Sequence, residues 1–160
     1  MSKASKIEQV KLTPSTEDYI KAIYRISQDS KVVRIKDVSK SLNVKMPSVV
    51  NAVKTLEDKG LVIHESYGYI ELTPEGKKIG ERLSYRYDTL VDFLVNVLQV
   101  DVKIAEEDAC AIEHYLHSET TDKIVKFLNF LRLTPDGEPG WLKKFKLFLK
   151  TGKKDCDKLK

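Results

Sequence analysis

Apolar residues recur along this chain with two different periods. Thr13-Pro14 opens the first helical pattern. A threonine can cap a helix, and proline loses nothing at the first helical position. Ile20, Ile23, Tyr24 and Ser27 follow at helical spacing with Tyr19 beside them, so a helix is expected to end near Asp29-Ser30. A second short helix is expected from about Ile35 to Leu42, with Ile35, Val38 and Leu42 on one face and Asn43-Val44 as the turn. A third starts at Pro47 and runs to about Lys59 with Val49, Ala52, Val53 and Leu56 as its stripe, and Gly60 stands where a helix stop belongs. The period then changes. Leu61-Val62-Ile63-His64 reads as a strand, Tyr67-Gly68 as a turn, and Tyr69-Ile70-Glu71-Leu72 as the returning strand. Helix, helix, turn, helix and β-hairpin is the order of a winged helix-turn-helix. A plain three-helix bundle is the alternative, and the hairpin after Gly60 favours the winged form.

Thr73-Pro74-Glu75 repeats the helix-start chemistry. The next helix is expected from about Gly76 to Leu98, with Ile79, Leu83, Tyr87, Leu90, Leu94 and Val97 on one side. Asp101 can cap a further helix through Leu116, and Ser118 another through about Leu133. That last helix carries Ile124, Val125, Phe127, Leu128, Phe130, Leu131 and Leu133, apolar on many sides, which calls for burial all round. A subunit interface is the economical way to supply it. TPDGEPG then breaks the pattern before a lysine-rich amphipathic segment containing Trp141, Leu142, Phe145, Phe148 and Leu149. The expected organisation is mainly α: a winged-helix domain over 1–74, a helical metal-binding and dimerisation domain over 75–133, and a lysine-rich tail over 134–160.

Charge is unevenly divided. Residues 1–75 hold 12 basic and 10 acidic side chains, 76–140 hold 8 and 12, and 141–160 hold 8 and 2. The net +4 therefore belongs to the tail and does not by itself argue for DNA. The argument for DNA is local. The outward positions of the third helix are Lys45, Met46, Ser48, Asn51, Lys54 and Thr55, mostly small or polar groups able to reach phosphates and base edges in a major groove. Two cysteines, Cys110 and Cys156, are too few for a disulfide framework, so a reducing cytoplasm is expected. The first fifteen residues lack the apolar core of a signal peptide, and no apolar run is long enough to span a membrane.

The segment Asp108-Ala109-Cys110-Ala111-Ile112-Glu113-His114 carries the candidate chemistry. Cys110, Glu113 and His114 stand at i, i+3 and i+4, which on a helix places them on one face. Thiolate, carboxylate and imidazole are all first-row metal ligands, and three on one face make half a coordination shell. A buried cysteine beside a surface Glu-His pair is the blander alternative. His117, His64 and Cys156 are read as residues without a site role.

These segments together resemble the diphtheria-toxin-repressor and manganese-transport-regulator family of metal-dependent repressors. The resemblance covers about residues 13–133. It rests on TPSTEDYIKAIY, on PSVVNAVKTLEDKGLV, on LTPEGKKIGERL and most heavily on EDACAIEH. It implies a winged helix, a helical dimerisation domain and a metal site drawing on both. Residue by residue, it implies Asp18, Cys110, Glu113 and His114 as ligands, and Pro47, Ser48 and Asn51 as DNA contacts flanked by Lys45 and Lys54. Asp18 follows the manganese-type pattern and Cys110 the iron-type pattern. Tyr87 stands where a histidine ligand is usual, Lys21 where manganese-type members place a second carboxylate, and Val91 and Glu106 where the iron-type ancillary site has ligands. One strong metal site per subunit is therefore expected. Long members of the family add a barrel-like C-terminal domain, for which the basic tail is too short.

The function these readings predict is a cytoplasmic, homodimeric, metal-dependent repressor that binds a double-stranded operator with palindromic half-sites. A thiolate ligand shifts preference toward iron, so Fe(II) is favoured and Mn(II) comes second. Two rivals are a metal-independent winged-helix regulator and an enzyme using Cys110 and His114 as nucleophile and base. The enzyme lacks a convergent third group and a glycine-rich oxyanion loop.

Overall fold

The computed structural model describes residues 12–65, 68–133 and 138–152. The chain divides into two units, Met1–Tyr85 and Arg86–Lys160. The first begins with α1, Pro14–Asp29, where the Thr13 hydroxyl accepts the Thr16 N–H at 3.3 Å as the expected cap. A two-residue strand β1, Val33–Arg34, leads into α2, Ile35–Leu42. There the Asp37 carboxylate accepts the Arg34 N–H at 3.2 Å and closes the helix start. Asn43 ends α2 with φ 51°, a left-handed conformation that asparagine tolerates better than most residues. Then α3 runs Met46–Asp58, one residue earlier at each end than expected, with proline at its second position. Leu61 N–H donates to Leu56 O at 2.9 Å across Gly60, which has φ +68° and so supplies the turn into the hairpin.

The hairpin strands are β2, Val62–His64, and β3, Tyr69–Leu72. They pair antiparallel with Val62 opposite Leu72 and His64 opposite Ile70. Strand β1 joins the other edge of β3, giving the order β1-β3-β2 and completing a winged helix-turn-helix. Of the expected hairpin turn, Gly68 has φ +77° and its N–H donates to Glu65 O, while Tyr67 lies outside the described residues. Ile20, Ile23, Val38, Val49, Val53, Leu56, Leu61, Val62, Ile70, Ile79 and Leu83 form one buried core. The stripes expected for the three helices and the hairpin supply most of it.

Helix α4, Pro74–Asp92, continues from the first unit into the second. The Thr73 hydroxyl starts it by accepting the Gly76 N–H at 3.1 Å while donating to Gly60 O at 2.8 Å. Two glycines bring α4 against its neighbours. A Cβ at Gly76 would stand 1.9 Å from Leu61 O, and one at Gly80 would stand 2.5 Å from the Tyr24 Cβ. The expected single helix to Leu98 instead ends at Asp92 and widens into a π-helical turn over Phe93–Val97, closed by Leu98 N–H to Phe93 O.

The second unit continues with α5, Val102–Ile112, capped by Asp101 as expected, its carboxylate accepting the Lys103 N–H at 3.0 Å. The end is a correction: α5 stops at Ile112 rather than Leu116, because Tyr115 N–H turns back to Ile112 O in a tighter, three-residue bond. Helix α6, Ser118–Arg132, starts one position earlier than its expected cap, with His117 at the cap and Ser118 already helical. Its Leu128 is buried with Val97 and with Leu142 of α7, Gly140–Thr151, and Phe93, Ile124, Phe127, Leu131 and Phe145 pack against them. Phe127 meets Phe93 edge-on at 6.1 Å and lies 6.1 Å from Trp141. Burial on all sides of α6 is not seen within one chain, since Phe130 remains 63% and Leu133 79% exposed. Residues 134–137 of the expected break, and the tail from 153 with Cys156, lie outside the described residues.

Candidate metal and nucleic-acid sites

Helix α3 buries Val49, Val53 and Leu56 and turns the opposite face to solvent. Lys45, Met46, Pro47, Ser48, Asn51 and Lys54 are all exposed on that face, as their spacing requires. No side chain caps the first turn; Pro47 has no N–H and Ser48 N–H donates to Lys45 O at 3.0 Å, so the helix start offers an anion chiefly the positive end of its dipole. Thr55, the other outward residue, donates its hydroxyl to Asn51 O at 3.0 Å, which ties it to its own helix. Val50 is an exposed residue the outward set missed. It stands i+3 from Pro47 and four before Lys54, a spacing that marks it, and its apolar tip suits a thymine methyl. In the wing, the Arg34 guanidinium stacks over the Tyr69 ring at 5.3 Å, and His64 is exposed.

Asp18 sits in the second turn of α1, half-buried, and Lys21 follows at i+3. Lys21 Nζ lies 3.2 Å from Asp18 Oδ1. Lys21 is a buried residue of this helix, next to Ile20, Ala22 and Ile23.

In the second unit, Cys110 occupies the last turn of α5, and Glu113 is its C-cap with helical dihedrals, its N–H bonded to Ala109 O at 3.0 Å. The i, i+3 relation between Cys110 and Glu113 is therefore carried by regular helix. His114 follows in the turn. Cys110 Sγ and a Glu113 carboxylate oxygen lie within 4.8 Å of each other, and His114 Nε2 lies 3.7 Å from Glu113 Oε1. Glu113 is 2% exposed, Cys110 is exposed, and the His114 ring is nearly covered. A thiol, a buried carboxylate and an imidazole side by side are a donor set that fits a first-row divalent metal. Burial also raises the benefit of a cation to the carboxylate, because an ionised group in a low-dielectric setting is costly without opposite charge.

The turn that bears Glu113 and His114 is held from α4. Arg86 Nη2 donates to Glu113 O at 2.7 Å and to Leu116 O at 3.0 Å, satisfying carbonyls that the end of α5 leaves without helical partners. Arg86 did not stand out in the sequence, since nothing local marks an arginine that bonds a turn 27 residues away. Tyr87 and Val91 are partly exposed on α4, Glu106 is exposed on α5, and His117 is exposed at the start of α6.

Residues 11–70 match the model of the iron dependent repressor N-terminal DNA binding domain, and residues 73–142 match that of the iron dependent repressor metal binding and dimerisation domain. The HTH-type transcriptional regulator MntR of Bacillus pumilus (strain SAFR-032) is 38% identical over 118 residues, 74% of this chain and 81% of that protein. Among solved structures, IdeR of T. acidophilum superposes with a TM-score of 0.65 at 25% identity, and the manganese regulator SloR with 0.64 at 30% identity, each over 74% of this chain. A manganese-dependent transcriptional repressor in complex with manganese superposes with 0.65 at 26% identity over 78% of this chain. This chain spans 55% of the length of the first two solved chains and 58% of the third.

Proposed function

The chain belongs to the iron-dependent repressor family, and from that premise we propose that it represses metal-homeostasis genes by binding operator DNA as a homodimer loaded with a divalent transition metal. The observation that carries this reading is the pairing of an open α3 face with a three-donor set at the end of α5, each inside the matched domain of the corresponding role. It acts as a regulator in the cytoplasm and not as an enzyme. Among the described residues no helix is long and apolar enough to cross a membrane.

Asp18, Cys110, Glu113 and His114 are the proposed ligands, one from the first unit and three from the second. Glu113 carries its negative charge in a buried setting, where an opposite charge is favoured. A bound dication supplies that opposite charge. Asp18 then holds α1, and Cys110, Glu113 and His114 hold the end of α5, to a common centre, which fixes the separation of two α3 helices across the dimer. That separation is near one helical turn of DNA or a multiple, so the operator carries palindromic half-sites. DNA affinity rises only as far as the metal prefers the DNA-competent arrangement. Cys110 supports Fe(II) as the favoured metal, with Mn(II) second, because a thiolate is a softer donor than a carboxylate. The exposed Phe130 of α6 and Leu133 at its C-cap support that helix as part of the dimer contact.

His114→Ala tests the assignment. It should abolish metal-stimulated DNA binding while leaving a folded dimer. Wild-type metal affinity in that variant, measured by calorimetry, would remove His114 from the site.

A further inference from the structure

Lys21 is out of place on α1. It lies in the run Tyr19–Ile23 that builds the core face, and its side chain keeps only 9% of its exposure. Lysine is among the residues least often buried, because stripping water from an ammonium is costly unless an opposite charge replaces it. Here the opposite charge is Asp18, whose Oδ1 lies 3.2 Å from Lys21 Nζ. The pair is local to the helix: i, i+3 spacing brings the two groups together as soon as α1 forms. A leucine or methionine would fill the same volume with no charge to compensate, so packing alone gives no reason for an ammonium. The ammonium lies against the Asp18 carboxylate.

We propose that Lys21 is a resident cation that competes with the divalent metal for Asp18 and thereby sets the metal concentration at which the protein becomes loaded. The inference rests on the reading that Asp18 is a ligand. The carboxylate has two oxygens, and the ammonium engages one of them. Metal binding must therefore either displace the ammonium or share the carboxylate with a positive charge close by. Both lower affinity without abolishing it. The monovalent ammonium also keeps Asp18 compensated when no metal is present, so the empty protein avoids a half-buried, uncompensated carboxylate on α1. Lys21 is thus an affinity-setting residue that acts through Asp18 and does not itself bind metal.

The test is a double-mutant cycle on the full chain: wild type, Lys21→Gln, Asp18→Asn, and the double variant. Mn(II) and Fe(II) affinities are measured anaerobically by competition with a chromophoric chelator, and folding is checked by thermal melts. Lys21→Gln is expected to bind Mn(II) more tightly by about tenfold or more, the scale on which one nearby charge shifts an equilibrium at a carboxylate. Asp18→Asn is expected to bind more weakly, and Lys21→Gln should add nothing in the Asp18→Asn background. A merely structural lysine would alter the melt and leave affinity alone. Unchanged or weaker binding in Lys21→Gln overturns the competition, as does the same gain in both backgrounds. Wild-type affinity in Asp18→Asn instead overturns the ligand assignment, and the competition with it. Should Lys21→Gln not fold, Lys21→Met keeps the volume, removes the charge and gives the same readout.

Discussion

Cys110 and Glu113 differ in hardness and in exposure, and the difference decides what each substitution should do. Glu113 is buried and Cys110 exposed, so Cys110 can be exchanged with little strain. Cys110→Asp replaces a soft donor with a hard one and should move the preference ratio from Fe(II) toward Mn(II). Competition titrations of both metals against one chelator give that ratio, and an unchanged ratio would exclude Cys110 from the shell. Arg86 makes a separate prediction. Its two bonds hold the turn carrying Glu113 and His114, so Arg86→Gln should weaken metal binding by about 1–3 kcal/mol while leaving the metal preference intact. Isothermal titration checks this; a shifted preference would mean that Arg86 does more than position the turn. At this scale the grouping of Cys110, Glu113 and His114 was legible because their spacing along the chain is short. Arg86 was not, because its partners lie 27 and 30 residues away.

Among the elements, α2 was legible to the residue and α3 within one residue at each end, because proline, asparagine and glycine mark their limits. The ends of α4 and α5 were not. The π-helical turn at Phe93–Val97 and the tightened turn after Ile112 are set by where backbone carbonyls find partners, which periodicity does not record. The two close glycines of α4 belong to the same class. Gly76→Ala would press a methyl into the Leu61 carbonyl, a backbone atom that cannot swing aside, and should cost about 1–3 kcal/mol or more in a denaturant titration. An unaltered midpoint would show that α4 can slide away from the hairpin. On α3, Asn51 and Lys54 should fail differently. Asn51→Ala removes an amide able to pair with an adenine edge and should relax preference at one base pair per half-site, by about 1–3 kcal/mol, with the salt dependence nearly unchanged. Lys54→Ala should weaken all sequences alike and reduce the salt slope by about 0.9 for each phosphate that is no longer neutralised. Binding curves over several salt concentrations and single-base operator variants separate the two. If neither changes, α3 is not the helix in the groove.

For the whole molecule, the winged helix and the helical unit were both legible, since each closes its own core from amphipathic stripes. The exposed Phe130 and Leu133 illustrate what a single chain leaves open: an apolar helix face is readable in sequence, and its partner is not. The account assigns the metal centre one strong equivalent per subunit, because Lys21, Tyr87, Val91 and Glu106 occupy the positions where the resemblance places further ligands. Elemental analysis after gel filtration should find that single equivalent, and two tight equivalents would show that other residues bind. The central claim is that metal controls DNA binding. Its most direct test is binding of the full chain to operator-length DNA, titrated anaerobically with Fe(II) and with Mn(II) and then reversed with chelator. The account predicts weak binding without metal, a steep gain on adding either ion at a lower concentration of Fe(II) than of Mn(II), and reversal on chelation. Equal operator affinity in the presence of metal and of chelator would contradict it.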